Sequence, residues 1–251
     1  MKNIFVAVIA FCTGLTVHAQ DAVAFKLNPE IGKTQQSTII LKTDIDSPQP
    51  VVIDVNMNAT STPTKIDEGN IVIETMINSV QMDMQSGMET VSYSSEQEAT
   101  DETSQLIEKQ FKPLIGQTVT AWVSSQGKAV NTVLPEVGEN TLSPSNFTSQ
   151  FLEFPDHAIR PGDSWETSND VQDNPAIAKM LLKNTFKEQT AEGYLITSVG
   201  TLFDEQGAQK GAMQGEFLLD TKTFMPSSST STLEMEMEGT KISVTVEVAI
   251  D

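Results

Sequence analysis

The stretch Leu233-Glu234-Met235-Glu236-Met237-Glu238-Gly239-Thr240-Lys241-Ile242-Ser243-Val244-Thr245-Val246-Glu247-Val248-Ala249-Ile250 alternates apolar and polar residues twice, with Glu238-Gly239-Thr240 between the two runs. Period two is the strand period, because successive side chains point to opposite faces of a pleated backbone. A short glycine-containing break between two such runs reads as a hairpin turn. The chain therefore closes on an antiparallel hairpin with one apolar and one polar face.

The same grammar extends through the rest of the chain. Ile39, Leu41 and Ile45 share one face of a strand, Ser47-Pro48-Gln49-Pro50 breaks it, and Val51, Ile53, Val55, Met57 and Ala59 continue on the next. A third run begins on Ile71, Ile73, Thr75 and Ile77 and changes parity to Val80, Met82 and Met84, which predicts a β-bulge at Asn78-Ser79. From Ile71 to Met84 an extended chain covers about 46 Å, long enough that the sheet has to curl. Further strands are expected at Thr118 to Ser124, Ala129 to Val137, Leu182 to Gln189, Tyr194 to Phe203, Gly211 to Asp220 and Phe224 to Met237. Helical spacing appears from Thr100 to Phe111, with Thr100 or Thr103 as cap and Leu106, Ile107, Gln110 and Phe111 on one face. It appears again from Pro144 to Phe154, where Phe147, Phe151, Leu152 and Phe154 fall together, and Asn174 to Met180 is a third, shorter candidate.

The fold class implied is mainly β: curved antiparallel sheets forming an open half-barrel or two fused β lobes, with two or three short amphipathic helices. Gly32-Lys33 and Gly162-Asp163 each precede a strand and suggest two similar halves, 20–153 and 154–251, of one domain spanning 20–251.

Residues 1–19 carry Lys2, an apolar run from Ile4 to Phe11 and Val17-His18-Ala19, the pattern of a cleaved export signal. The expected location is periplasmic or extracellular. The run is too short to span a bilayer, and Phe11 stands where a lipid-accepting Cys12 would need a small residue. Cleavage after Ala19 removes Lys2 and no acid, taking the formal charge from -19 to -20. With Arg160 as the only arginine, nucleic acid is excluded as a partner. Anionic headgroups are repelled by the same field.

Candidate chemistry is sparse. His157 is the one histidine beyond the leader, beside Asp156, Asp163 and Ser164 in a Pro- and Gly-punctuated turn that lacks a nucleophile-elbow pattern. Cys12 leaves with the leader, so thiol catalysis and cysteine-held zinc are excluded. Asp54-Val55-Asn56-Met57-Asn58 has alternating oxygen ligands, but Ala59 occupies the glycine position of a calcium loop. No metal, cofactor or catalytic residue is assigned, and the chain is expected not to be an enzyme.

Methionine is the more informative residue. Eleven of them accompany only 6% aromatic residues. Met57, Met82, Met84, Met235 and Met237 fall on apolar strand faces where β-branched residues are usual. A flexible, polarizable side chain either fills irregular core or lines a surface that adapts to an apolar guest. The candidate lining is Met57, Met82, Met84, Leu106, Phe111, Phe147, Phe151, Met235 and Met237.

Leu27 to Lys33 (Leu-x-x-x-x-Gly-Lys), the Met-rich strand pair, Leu114-Ile115-Gly116, Trp122 to Lys128 (Trp-Val-Ser-Ser-Gln-Gly-Lys) and Phe154 to Trp165 (Phe-Pro…Arg-Pro-Gly-Asp-Ser-Trp) follow in order. This order resembles an uncharacterised family of exported bacterial β-rich proteins, many of them lipoproteins, of unknown function. The resemblance implies no catalytic residues. The architecture also looks like the half-barrels of periplasmic lipoprotein carriers. These readings imply a non-catalytic, monomeric carrier or sensor of an apolar, lipid-like ligand in the envelope. The alternatives are a structural module that docks another envelope protein and, third, a hydrolase of an exported polymer.

Overall fold

The computed structural model describes residues 21–135, 151–171, 177–237 and 239–250. Strands β1 (Gln35–Asp46), β2 (Val51–Asp67), β3 (Asn70–Ser86) and β4 (Glu89–Ser94) precede helix α1 (Glu102–Phe111), and β5 (Thr118–Val123) and β6 (Ala129–Val133) follow it. A second meander runs through β7 (Ser164–Asp170), β8 (Lys179–Gln189), β9 (Tyr194–Phe203), β10 (Gln209–Leu219), β11 (Pro226–Met237) and β12 (Thr240–Ile250).

All twelve strands belong to one sheet, in the order β6-β5-β3-β2-β1-β12-β11-β10-β9-β8-β7, with β4 beside the far half of β3. The two meanders meet where β1 pairs antiparallel with β12, from Ser37 opposite Ile250 to Asp46 opposite Lys241. The outcome is the open half-barrel, a single sheet and not two separate ones. The C-terminal hairpin forms as its alternation predicts, with Met237 opposite Thr240. The predicted bulge is present too: Asn58 faces Ser79 while Ala59 faces Ile77, so Asn78 is the extra residue and Val80 regains the apolar face.

The two meanders begin in the same way. Gly32 N–H donates to Pro63 O (2.7 Å), and Thr34 Oγ1 lies 3.0 Å from Thr62 Oγ1. Gly162 N–H likewise donates to Phe186 O (2.7 Å), and Ser164 Oγ lies 2.9 Å from Thr185 Oγ1. Both glycines sit at positive φ (84° and 94°), where a side chain would be strained. The faint repeat of Gly32-Lys33 and Gly162-Asp163 is thus a repeat of geometry, each approach segment tied to the second strand of its own meander.

These approach segments plug one end of the sheet. They pair with each other through Val23 and Ile159 (2.7 and 2.9 Å). Leu27 N–H donates to Ser125 O and Asn28 N–H to Thr223 O (both 2.8 Å), which ties the first segment to both limbs. Phe25, Leu27, Leu152, Phe154 and Ile159 of the plug share one core with Ile71, Ile73 and Val123 of the first limb and with Phe186, Ile196 and Leu219 of the second. Four strands lie between β3 and β10, which in a flat sheet would stand about 24 Å apart. Packing both limbs on one plug requires the sheet to curl, and the face toward the plug is the concave one.

Helix α1 packs on the first limb. Its cap is Asp101, one residue after the expected Thr100, and the Asp101 carboxylate accepts from Thr103 N–H (3.0 Å) and Ser104 N–H (2.9 Å). The Ser104 hydroxyl also donates to this carboxylate and does most to hold its carboxyl below the usual range, with the backbone donors adding to it. The buried side of α1 is Ser104 and Ile107; Leu106 is 60% exposed, because the helix sits one position around from the face the spacing suggests. Of the other two expected helices, residues 144–150 and 174–176 lie outside the described residues. Where they are described they are not helical: 151–154 is irregular, and Lys179 and Met180 open strand β8.

Candidate functional site

Alternation and register carry the concave face across the whole sheet. Leu41 packs in the cluster under α1, so Ile39, Thr43 and Ile45 on the same parity of β1 also face inward. Across the seam their partners are Val248, Val244 and Ile242, and beyond those stand Ser229, Leu233 and Met235 of β11. Next come Phe217, Met213 and Gly211 of β10, opposite Ile196, Gly200 and Leu202 of β9.

Two packed regions cover part of this face. The plug covers one end. Under α1, Val55, Ile77, Val80 and Leu114 are buried, with Leu41, Ile53, Met57, Met82, Phe111 and Ile115 half-buried around them. Between and beyond these lies an apolar stretch that belongs to neither cluster, formed by Met213, Leu233, Met235, Ile242, Val244 and Val246, each still partly exposed.

The residues nominated from the sequence are divided by this geometry. Met57, Met82 and Phe111 come together beneath α1, and the Phe111 ring stacks on Tyr93 at 6.3 Å. Tyr93 Oη is buried there without a hydrogen-bond partner, and burial, followed by the nearby Glu108 charge, pushes its pKa up. Met84 is half-buried on the same parity of β3. Met235 lies on the uncovered stretch and Met237, 39% exposed, at its tip. Phe151 packs against the plug instead, Leu106 points away from the sheet, and Phe147 lies outside the described residues.

A hydroxyl belt that the sequence reading did not single out crosses the concave face obliquely, displaced by about six residues along the strands between the Ser61–Thr75 pair and Ser231. Ser61 and Thr75 face each other across β2 and β3 (Oγ to Oγ1 2.8 Å), and Ser37 Oγ donates to Ala59 O (3.5 Å). On the other limb the fully buried Ser198 donates to Asn184 Oδ1 (2.5 Å), while Asn184 Nδ2 donates to Thr167 Oγ1 (3.3 Å). Ser229 and Ser231 of β11 stand between these groups, half-buried. A small cavity of about 20 Å³ opens on the belt, bounded by Gln35, Ser37, Ser61, Ile73, Phe151, Met225, Pro226 and Ile250. The signal was legible in principle: Ser229 and Ser231 share the parity of Leu233 and Met235, so a polar patch had to interrupt the apolar face.

The remaining candidates lie elsewhere. His157 is exposed beside the Asp156 carboxylate (Nδ1 to Oδ1 3.0 Å), and that hydrogen bond holds the Asp156 carboxyl low. Ser164 Oγ is engaged with Thr185 on a strand. Asp54, Asn56 and Asn58 alternate on the outer face of β2, a strand paired on both sides.

The three sequence motifs converge on the plug. Gly127 sits at φ +83°, and a Cβ there would collide with the Leu152 carbonyl oxygen, where Phe154 N–H docks on Gln126 O (2.7 Å). Trp165 Nε1 donates to Glu153 O (2.7 Å) from the same segment. Leu27 and Gly32 pin the first approach segment, as described above. These contacts tie the two approach segments to the sheet at one end.

The architecture is an antiparallel half-barrel, plugged at one end, with a partly uncovered concave face. No family model matches the chain, and no curated protein matches it. Among solved structures it is similar to lipovitellin, in a structure of lipid–protein interactions, with a TM-score of 0.54 and 7% identity over 88% of this chain. The match covers 25% of lipovitellin, so this chain spans about a quarter of that protein's length. A DUF1329 family protein from Desulfovibrio piger is also similar, with a TM-score of 0.30 and 7% identity over 88% of this chain and 86% of the other. At this identity the likeness to lipovitellin is one of fold.

Proposed function

We propose that this protein is an exported, non-catalytic binder that carries or senses an apolar, lipid-like ligand in the cell envelope. The observation that carries the reading is the stretch of Met213, Leu233, Met235, Ile242, Val244 and Val246, facing inward yet incompletely buried. Complete burial of one such side chain contributes about 1.5–3 kcal/mol. Partial burial leaves some of that to be gained by an apolar guest. Met213 and Met235 belong to the stretch and Met237 stands at its tip, and their flexible thioethers conform to chains of differing shape. The likeness of fold to lipovitellin, in a structure of lipid–protein interactions, supports the reading by analogy of architecture.

The test is to strip the protein of lipid in organic solvent or detergent, refold it, and titrate it with an environment-sensitive dodecyl fluorophore. Saturable uptake at about one molecule per chain, with Val246→Asp reducing it and Thr245→Asp on the outer face leaving it intact, is the expected result. A delipidated protein that takes up no apolar probe, and that copurifies with none from its host, overturns the reading.

A further inference from the structure

The inward parity of ten strands is free of charge. Following the inward parity through β1, β2, β3, β5, β7, β8, β9, β10, β11 and β12 meets Ile, Leu, Val, Met, Phe, Tyr, Trp, Ala, Gly, Pro, Ser, Thr, Asn and Gln, and no Asp, Glu, Lys or Arg. Glu89, at the tip of the β3–β4 hairpin, is the one acidic residue on that parity of β4. Meanwhile Lys42, Asp44, Asp54, Glu74, Glu234 and Glu247 sit on the opposite parity of the same strands, exposed. A chain of charge -19 has sorted its charge to the convex side. An ionised headgroup entering the concavity would find no counter-charge on the strands, and desolvating it unpaired is costly. An anion would in addition enter against the field of the acidic surface.

The hydroxyl belt supplies what an uncharged polar group needs. Ser61, Thr75, Ser198 and Asn184 are bonded to one another or to neighbours, whereas the hydroxyls of Ser229 and Ser231 and the Gln35 amide form no hydrogen bond among the described residues. The cavity beside Gln35, Ser37 and Ser61 lies nearer the plug, some four to six residues along the strands from the level of Ser231. From Ser231 the apolar parity runs through Leu233 and Met235 to Met237, a track of about 20 Å along β11.

Resting on the reading of this face as a ligand site, we propose that its occupant is an uncharged amphiphile. A hydroxyl or ester headgroup hydrogen-bonds the belt at Ser229 and Ser231, and the hydrocarbon chain lies toward Met235 and Met237. Ionised lipids such as fatty acids are discriminated against by the missing counter-charge.

The experiment titrates the delipidated full chain with three amphiphiles of equal chain length, each below its micelle concentration: monolauroylglycerol, laurate and dodecyltrimethylammonium. Binding is followed by calorimetry at pH 8. Monolauroylglycerol is expected to bind about tenfold or more tightly than either ion. If none of the three binds, the ligand-site reading itself falls. If laurate or the ammonium binds as tightly as monolauroylglycerol, the uncharged headgroup is wrong while the carrier reading stands. Ser231→Asp is expected to abolish monolauroylglycerol binding and admit the ammonium, while Thr230→Asp, one residue away on the convex face, changes neither. A folded Ser231→Asp protein with unchanged preference overturns the assignment of the belt. Should that variant fail to fold, the three titrations on the unaltered protein still decide.

Discussion

The plugged end and the uncovered stretch are built on the same strands, yet from different residues. At the plug, Phe25 packs edge-on against Phe186 (5.1 Å) and Tyr194 (5.3 Å), and Tyr194 stacks on Phe224 (5.6 Å). Phe186 and Ile196 there are fully buried. Farther along β9 to β12 the inward positions turn to Met213, Leu233, Met235, Val244 and Val246, half-exposed and without aromatic partners. Aromatic pairs fix geometry as well as burying area. Methionine and β-branched aliphatics bury area with little directional demand. The contrast separates a rigid end that holds the curl from a pliant face that the curl presents.

Phe186→Ala puts the largest load on this division. Removing a fully buried ring from the plug is expected to cost about 3–5 kcal/mol, read as a fall in urea midpoint. Apolar-probe uptake by the fraction still folded should be unchanged; loss of uptake with stability retained would show that the two regions are not separate. Gly127→Ala attacks the same end through the backbone, because both the positive φ and the Leu152 carbonyl oppose a Cβ. A clear drop in melting temperature is expected, and a neutral outcome would mean the plug docks differently.

Met235→Ala tests the other side. Its side chain is only partly buried, so the cost should fall below the roughly 2–5 kcal/mol of a core truncation, while probe affinity declines. Peroxide mapping compares the regions directly: Met88, Met237 and Met76 should oxidise first in the folded protein and Met225, 7% exposed within the plug, last. Sulfoxide at Met235 should weaken probe uptake before the protein unfolds. Early oxidation of Met225 would place the boundary elsewhere.

Smaller effects are expected at α1. Asp101→Ala removes the cap, and because the folded carboxyl titrates below its ordinary value, the lost contribution is one present at neutral pH and withdrawn as pH falls below about 4. The two stability curves should therefore converge toward pH 2. Leu106→Ala, on the exposed side of the helix, should change stability by less than about 0.5 kcal/mol. If it reduces probe uptake, the helix turns inward when ligand binds.

Much of this was legible in the alternation. The C-terminal hairpin, strand Tyr194–Phe203 and the bulge at Asn78 follow from parity alone, because a buried face enforces register. The orientation of α1 was not, since a short amphipathic helix with Leu106, Ile107 and Phe111 in a row offers two faces, and only contact with Tyr93 and β3 selects one. Nor was the role of Phe151, which shares a helical spacing with Phe147 in the sequence but packs on the plug as irregular chain. The hydroxyl belt escaped because Ser37, Ser61, Thr75 and Ser231 lie on four strands, and only the folded sheet puts them on one face.

What the sequence determined by itself was local: period-two alternation, the turns, the bulge, and the segregation of charge to one parity of each strand. These depend on neighbours two residues apart and on backbone sterics. The tertiary structure decided what is non-local: that first and last strands pair at the seam, that two approach segments plug one end, and that charge-free parities of ten strands become one concave face. Such contacts join residues as far apart as Ser37 and Ile250, and their energy depends on the shape each strand finds beside it, which no single stretch of sequence contains.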